Sequence, residues 1–220
     1  SSTFKPQFDY QAERVLSALT KGIGDEFTPR ETTLIPAESP SQLSTPDINT
    51  LAIITRAIHN HLPIQIEYRS LSSGLTTREI VPHCLVDNGL RWHIRAFDRR
   101  RSRFTDFVVT RITKPITLEN RTINQHELIS NDIQWNRIVE LEIKAHPRLV
   151  HKDVIEKDYQ MVNGTMKVNL RAAVAGYLLR RWNVDCTLDA SLLGDEFHLW
   201  LCNREALYGV DNLVIAPGYL

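Results

Sequence analysis

Residues 64 to 111 read IQIEYRSLSSGLTTREIVPHCLVDNGLRWHIRAFDRRRSRFTDFVVTR, and this stretch decides the fold. Ile64, Ile66, Tyr68 and Ser70 fall on one face of a strand, and Gln65, Glu67 and Arg69 fall on the other. Ser72-Ser73-Gly74 reads as a turn. A long strand over 77–87 follows, bent or at a sheet edge at Pro82. Asn88-Gly89 signals a two-residue hairpin, and 90–97 returns. Asp98–Ser102 turns again, Arg103–Thr110 forms another strand and Ile112–Leu118 a fifth. A helix from Pro46 to Asn60 precedes them. Thr45 is its expected cap, Pro46 suits the first helical position, and Ile48, Leu51, Thr55 and Ile58 form its expected apolar stripe. One helix and five short antiparallel strands predict a small SH3-like or Sm-like barrel.

Charge singles out the same stretch. Between Arg91 and Arg111 there are seven Arg against two Asp, whereas the whole chain carries 26 basic and 26 acidic residues. A concentrated basic patch on a neutral protein implies a defined anionic ligand better than bulk electrostatic binding.

Working outward, residues 9–21 show a helical pattern ended by Gly22. Residues 22–46 have linker-like composition, with room for a short strand at Thr32–Ile35. After Gln134 the pattern changes. Val139–Ile143 alternates as a strand, and Pro147–Lys157 reads as a helix. Asn163-Gly164 turns a hairpin between 158–162 and 165–171, Ala172–Trp182 is helical, and Glu196–Leu201 is a strand. That order, β-α-β-β-α-β, is that of a ferredoxin-like sandwich. The fold class is therefore α+β. The expected parts are a linker helix and connecting segment over 1–45, the barrel over 46–120, a linker over 121–138 and a second domain over 139–220. No apolar run approaches the roughly 20 residues needed to span a bilayer. The odd number of widely spaced cysteines, Cys84, Cys186 and Cys202, suits a reducing cytoplasm. The start at Ser-Ser, without Met, reads as a fragment or processed chain.

Several spaced motifs carry a resemblance to the WYL-domain family: Tyr68-Arg-Ser70, Arg78-x-x-x-Pro82-His83, Trp92-His-Ile-Arg95-Ala and Asp106-Phe-Val-Val-Thr-Arg111-Ile. The tripeptide behind the family's name reads Trp92-His93-Ile94 here. The segment after Val139, with Tyr177-Leu-Leu-Arg180, resembles the WCX extension that follows such domains. The resemblance covers about residues 46–202. It implies an Sm-like barrel that senses a nucleotide or nucleic-acid ligand, in a homodimeric bacterial transcriptional regulator. The subgroup that this chain resembles regulates phage-defence operons. Operator DNA would be read by an N-terminal winged helix-turn-helix that residues 1–45 are too few to form, with helix 9–21 joining it to the sensor.

The polar positions of the family pocket fall on Ser70, Arg78, His83, Arg95 and Arg111. Arg offers a planar fork of donors for phosphate, and Ser or His a neutral donor beside it. Tyr68 and Trp92 are candidate stacking platforms for a base. Bland readings stand beside these. Trp92 alternates with Ile94 and Ala96 as a core residue would, and Tyr68 shares a face with Ile64 and Ile66. His83 alone is as readily structural. Each Arg could be a solvated strand residue, and Arg99-Arg100-Arg101 with Arg103 reads as a solvated turn cluster.

Enzyme signals are thin. His59-Asn-His61 and His126-Glu127 lack metal-ligand spacing with a third partner, and no phosphate-cradling glycine motif or nucleophile elbow is present. No cofactor or metal is expected. The rival readings are an Sm-like RNA or single-strand binding module, and a purely structural dimerisation module. The second is favoured if Asp or Glu engages the pocket Arg residues within the fold.

Overall fold

The computed structural model describes residues 44–219. The helix expected over 9–21 and the strand at Thr32–Ile35 lie outside them. Helix α1 spans Ile48–His59. Asp47 caps it, not Thr45: its carboxylate accepts from the Thr50 amide at 2.8 Å. The buried stripe also differs from the expected one. Ile54 and Ala57 face the core, Ile58 packs at its edge, and Ile48 and Thr55 face solvent.

Five antiparallel strands follow: β1 (Ile64–Ser70), β2 (Gly74–Asp87), β3 (Trp92–Asp98), β4 (Arg103–Val108) and β5 (Ile112–Thr117). They form one sheet in the order β4-β3-β2-β1-β5. Among the described residues no pairing joins β4 to β5, so the sheet is open where a closed barrel was expected. Helix α1 packs across β2 and β5. One face of the sheet forms a core with it: Ile64, Ile66, Ile80, Ile94, Ala96 and Phe107.

The β2–β3 connection is longer than the predicted two-residue turn. Residues 88–91 form it, with Asn88 Oδ1 accepting from the amides of Leu90 and Arg91. Asn88 spends its side chain as a turn former, and only Gly89 takes positive φ. The register of β2 against β3 shifts between Pro82 and Cys84. Pro82 has no amide to donate, and the resulting bulge turns His83 and Cys84 toward the same side.

The second sheet has the order β7-β6-β9-β8, from β6 (Ile138–Ala145), β7 (Met166–Arg171), β8 (Val184–Asp185) and β9 (Leu199–Leu201). Three α-helices belong to this half: α2 (Ile133–Asn136), α3 (Lys152–Asp158) and α4 (Ala172–Arg181). The element order is β-α-β-α-β-β, not the ferredoxin-like order. Residues 158–162 supply only a single bridge, Val162 to Thr165, because α3 runs through Asp158 and leaves too little chain for a strand. The expected long helix from Pro147 begins only at Lys152. Strand β8, of two residues, pairs parallel with β9 and is too short for any periodicity to show. Val139, Leu141, Ile143, Ala175, Leu179, Leu199 and Leu201 form this core. Beneath it lies a fully buried pair, with His146 Nε2 3.1 Å from Asp185 Oδ2. Burial would raise the Asp185 carboxyl, but donors from Thr187, His146 and Leu192 hold it below the usual carboxylate range. The two sheets and residues 118–137 between them lie in one compact unit.

Candidate functional site

The seven candidate residues do not converge on one pocket. Strand alternation divides them between the two faces of the first sheet. Tyr68, Arg78 and Trp92 lie on the side of the α1 core. The Tyr68 ring meets Phe107 edge-on at 5.0 Å, and its hydroxyl accepts from the Val108 amide. Trp92 is half-buried against the same core. Both aromatics are packing residues here. Arg78 is buried, lies over the Tyr68 and Phe107 rings, and pairs with Asp98, which has no exposed surface. Ser70 ends β1 and bonds Ser72 in the turn. Arg111 is half-buried on a single 3-10 turn, Val109–Arg111.

His83 and Arg95 point to the opposite face, and there they meet. Arg95 is 5% exposed. Its Nε and Nη2 donate to Asp132 Oδ2 and Oδ1 at 2.6 and 2.9 Å, and its Nη1 donates to Asp106 at 3.0 Å. His83 Nε2 stands 3.1 Å from Asp132 Oδ2; the carboxylate can only accept, so the ring nitrogen donates. Asp106 also accepts from the Tyr177 hydroxyl on α4 at 2.8 Å. A continuous polar network thus runs from the first sheet, through the linker, to the second domain. Burial would raise the Asp132 carboxyl, but the His83 and Arg95 hydrogen bonds and the Arg95 charge outweigh that and hold it at about 2. Burial pushes the neighbouring Cys84 thiol up to about 12, and Asp106 adds to the effect, so it stays protonated. Burial drives the Tyr177 hydroxyl up as well, with Asp106 again contributing.

None of Asp106, Asp132 and Tyr177 is among the expected site residues, and Tyr177 enters the sequence analysis only within the Tyr177-Leu-Leu-Arg180 run. Asp106 was quoted only as part of a motif, and Asp132 lies 37 residues from Arg95. Its one local signal is its position three residues before Trp135, whose amide it caps.

Arg99 departs from the solvated cluster assigned to it. It donates to both oxygens of buried Glu127 at 2.7 and 2.8 Å, to Glu79 and to the Thr122 carbonyl. This clasp fixes the linker on the sheet. Arg100, Arg101 and Arg103 do remain exposed.

Beside the Arg95–Asp132 pair opens a pocket of about 530 Å³. Arg95, Asp132, Arg103, His126 and Gln134 give it polar walls, and Phe97 and Phe104 give it aromatic ones. His83 shares Asp132 Oδ2 with Arg95, and its Nδ1 is buried and unpartnered. Its lining thus joins guanidinium and imidazole groups to the carboxylates of Asp132 and Asp211, and two carboxylates, Asp132 and Asp106, already occupy Arg95.

Residues 49–116 match the WYL domain. The chain carries a WYL domain over this segment. Residues 138–207, the segment expected as a WCX-like extension, match the domain described as BrxR transcriptional regulator, C-terminal dimerization domain. The chain is similar to a protein of Escherichia coli named DNA-binding transcriptional repressor CapW, 30% identical over 177 residues, which are 79% of this chain and 58% of that protein. A Pseudomonas aeruginosa protein of the same name is 34% identical over 139 residues, or 61% of this chain and 45% of its own length. This WYL chain thus spans less than two thirds of these curated relatives. Among solved structures, proteasome accessory factor B/C of Arthrobacter aurescens aligns at 16% identity and a TM-score of 0.34, covering 79% of this chain and 28% of its own.

Proposed function

We propose that this WYL chain is the ligand-sensing and dimerising region of a cytoplasmic transcriptional repressor of a phage-defence operon. One observation carries the reading: a WYL match and a dimerization-domain match occupy one chain, and a buried polar network joins the two segments. The chemistry of the pocket beside Arg95, with Arg103 and His126 in its lining, favours an anionic nucleotide or single-stranded nucleic acid. The relatives' name supports the role of repressor. Operator contact, in this reading, is made through a winged helix-turn-helix outside the described residues. No described helix is long and apolar enough to cross a membrane.

The deciding experiment is light scattering on residues 1–220 at tens of micromolar, with and without a short single-stranded oligonucleotide. A two-chain mass, and a shift of the dimer equilibrium on addition of the strand, are the expected results. A monomer at every concentration removes the dimerising role.

A second reading, a structural dimerisation module, is favoured by the internal pairing of Arg78 with Asp98 and of Arg95 with Asp132 and Asp106. It requires a stable dimer that takes up no nucleotide or oligonucleotide.

A further inference from the structure

Arg95 is already occupied. Asp132 grips it through two parallel N–H···O bonds, the planar two-point geometry that a guanidinium also offers to a phosphate. The grip comes from the linker, a separate element from the sheet that carries Arg95. We propose that Asp132 is a built-in carboxylate occupant of the anion site, and that a phosphate-bearing ligand acts by displacing it from Arg95. This rests on the reading above that the pocket takes an anion.

Four observations carry it. The pocket opens directly on the Arg95–Asp132 pair, and Arg103 and His126 line it with further donors beside the Asp211 carboxylate. Asp132 is held by four donors, Arg95 Nε and Nη2, His83 Nε2 and the Trp135 amide, so the pair is a formed carboxylate site in which another oxyanion can take its place on Arg95. Charge makes arrival and departure one event. Asp132 and Asp106 both sit on one guanidinium, so a phosphate placed there meets two like charges until one of them leaves. Asp106 is also held by Tyr177 from α4, whereas Asp132 sits at the N-cap of a single four-residue turn, α2, so its departure moves only that turn directly.

Displacement would be felt elsewhere. Asp132 caps α2 through the Trp135 amide, and α2 packs on α4 and β7 of the dimerization segment. Arg95 simultaneously holds Asp106, the partner of Tyr177 on α4. A ligand with different contacts in the latched and unlatched states can therefore bias the second domain.

The test uses a 5′-phosphorylated short oligothymidylate, with the unphosphorylated strand and inorganic phosphate as separate arms. Asp132→Asn keeps an oxygen to cap α2 but removes the competing charge. It is expected to bind the phosphorylated strand about tenfold tighter than the parent chain, roughly 1.4 kcal/mol. Arg103→Ala, an exposed change, is expected to weaken binding in both backgrounds. In the unsubstituted chain, hydrogen exchange at residues 131–136 should speed up when the strand is added. Equal or weaker binding by Asp132→Asn, or slowed exchange at 131–136, overturns the latch; if Arg103→Ala still weakens binding, the anion site itself stands. If neither the parent nor Asp132→Asn takes up any of the three probes, the latch and the ligand reading fall together. The exchange measurement decides the matter even if Asp132→Asn folds poorly.

Discussion

Arg95 and Arg100 are alike in sequence and opposite in consequence. Arg95 is buried between two carboxylates, whereas Arg100 stands in the solvent at the β3–β4 turn. Removing one partner of a buried ion pair leaves an uncompensated charge, typically worth about 3–5 kcal/mol. Arg95→Ala should lose stability of that order in denaturant unfolding, while Arg100→Ala should stay within about 0.5 kcal/mol. Equal effects would contradict the placement of the two side chains. Gly176 makes a similar point through space. A Cβ there would lie 2.2 Å from the Asn212 backbone carbonyl oxygen, and Asn212 also bonds the Gly176 amide and the Ala173 carbonyl. Neither backbone can yield cheaply, so Gly176→Ala should cost about 1–3 kcal/mol by overpacking. An unchanged unfolding midpoint would show that α4 can draw back. Strand alternation could have divided the candidate residues between faces, since Arg78 and Arg95 belong to strands of known phase. What the sequence could not supply was the identity of the partners. Asp98, Asp106 and Asp132 are ordinary carboxylates until the fold brings them within 3 Å of an Arg.

At the scale of elements, the first sheet was the most legible part. Its strands are long enough for alternation to show, and Gly74 and Ser102 take the positive φ that turn residues accommodate. The second sheet was less so. Its last strand falls inside the expected Glu196–Leu201 strand, but β8 has two residues, below the length at which a period can be recognised, and 3₁₀ turns fill the chain after Asn203. Sheet closure was not legible at all, because strand count says nothing about whether the last strand meets the first. Helix α1 offers a clean test of local chemistry. Asp47→Ala removes the acceptor for the Thr50 amide and should cost about 1 kcal/mol, whereas Thr45→Ala should cost almost nothing. The reverse order in thermal unfolding would restore Thr45 as the cap.

At the scale of the whole molecule, the contact between the sheets is where acid should act, in two separate windows. His93 lies on the same face as Arg95, is 5% exposed, and stacks on Tyr177 of α4 with ring centroids 5.1 Å apart. Burial holds its pKa below the usual 6.5; the Asp106 charge works against that shift, and Arg91 works with it. A histidine depressed in the folded state stabilises fully above its unfolded pKa and loses that contribution as pH falls below it. Asp132 follows the same sign in a lower window. Held at about 2 from an ordinary 3.8, it contributes roughly 2 kcal/mol that should disappear between about pH 4 and pH 2. Stability of the chain should therefore fall in a first step below pH 6.5 and in a second below pH 4. His93→Gln, which cannot take up a proton, should flatten the first step and leave the second. Asp132→Asn should shrink the second and spare the first. Denaturant unfolding of the three proteins from pH 8 to about pH 2 measures both steps. A first step that survives in His93→Gln would move the acid response away from the contact between Tyr177 and the first sheet.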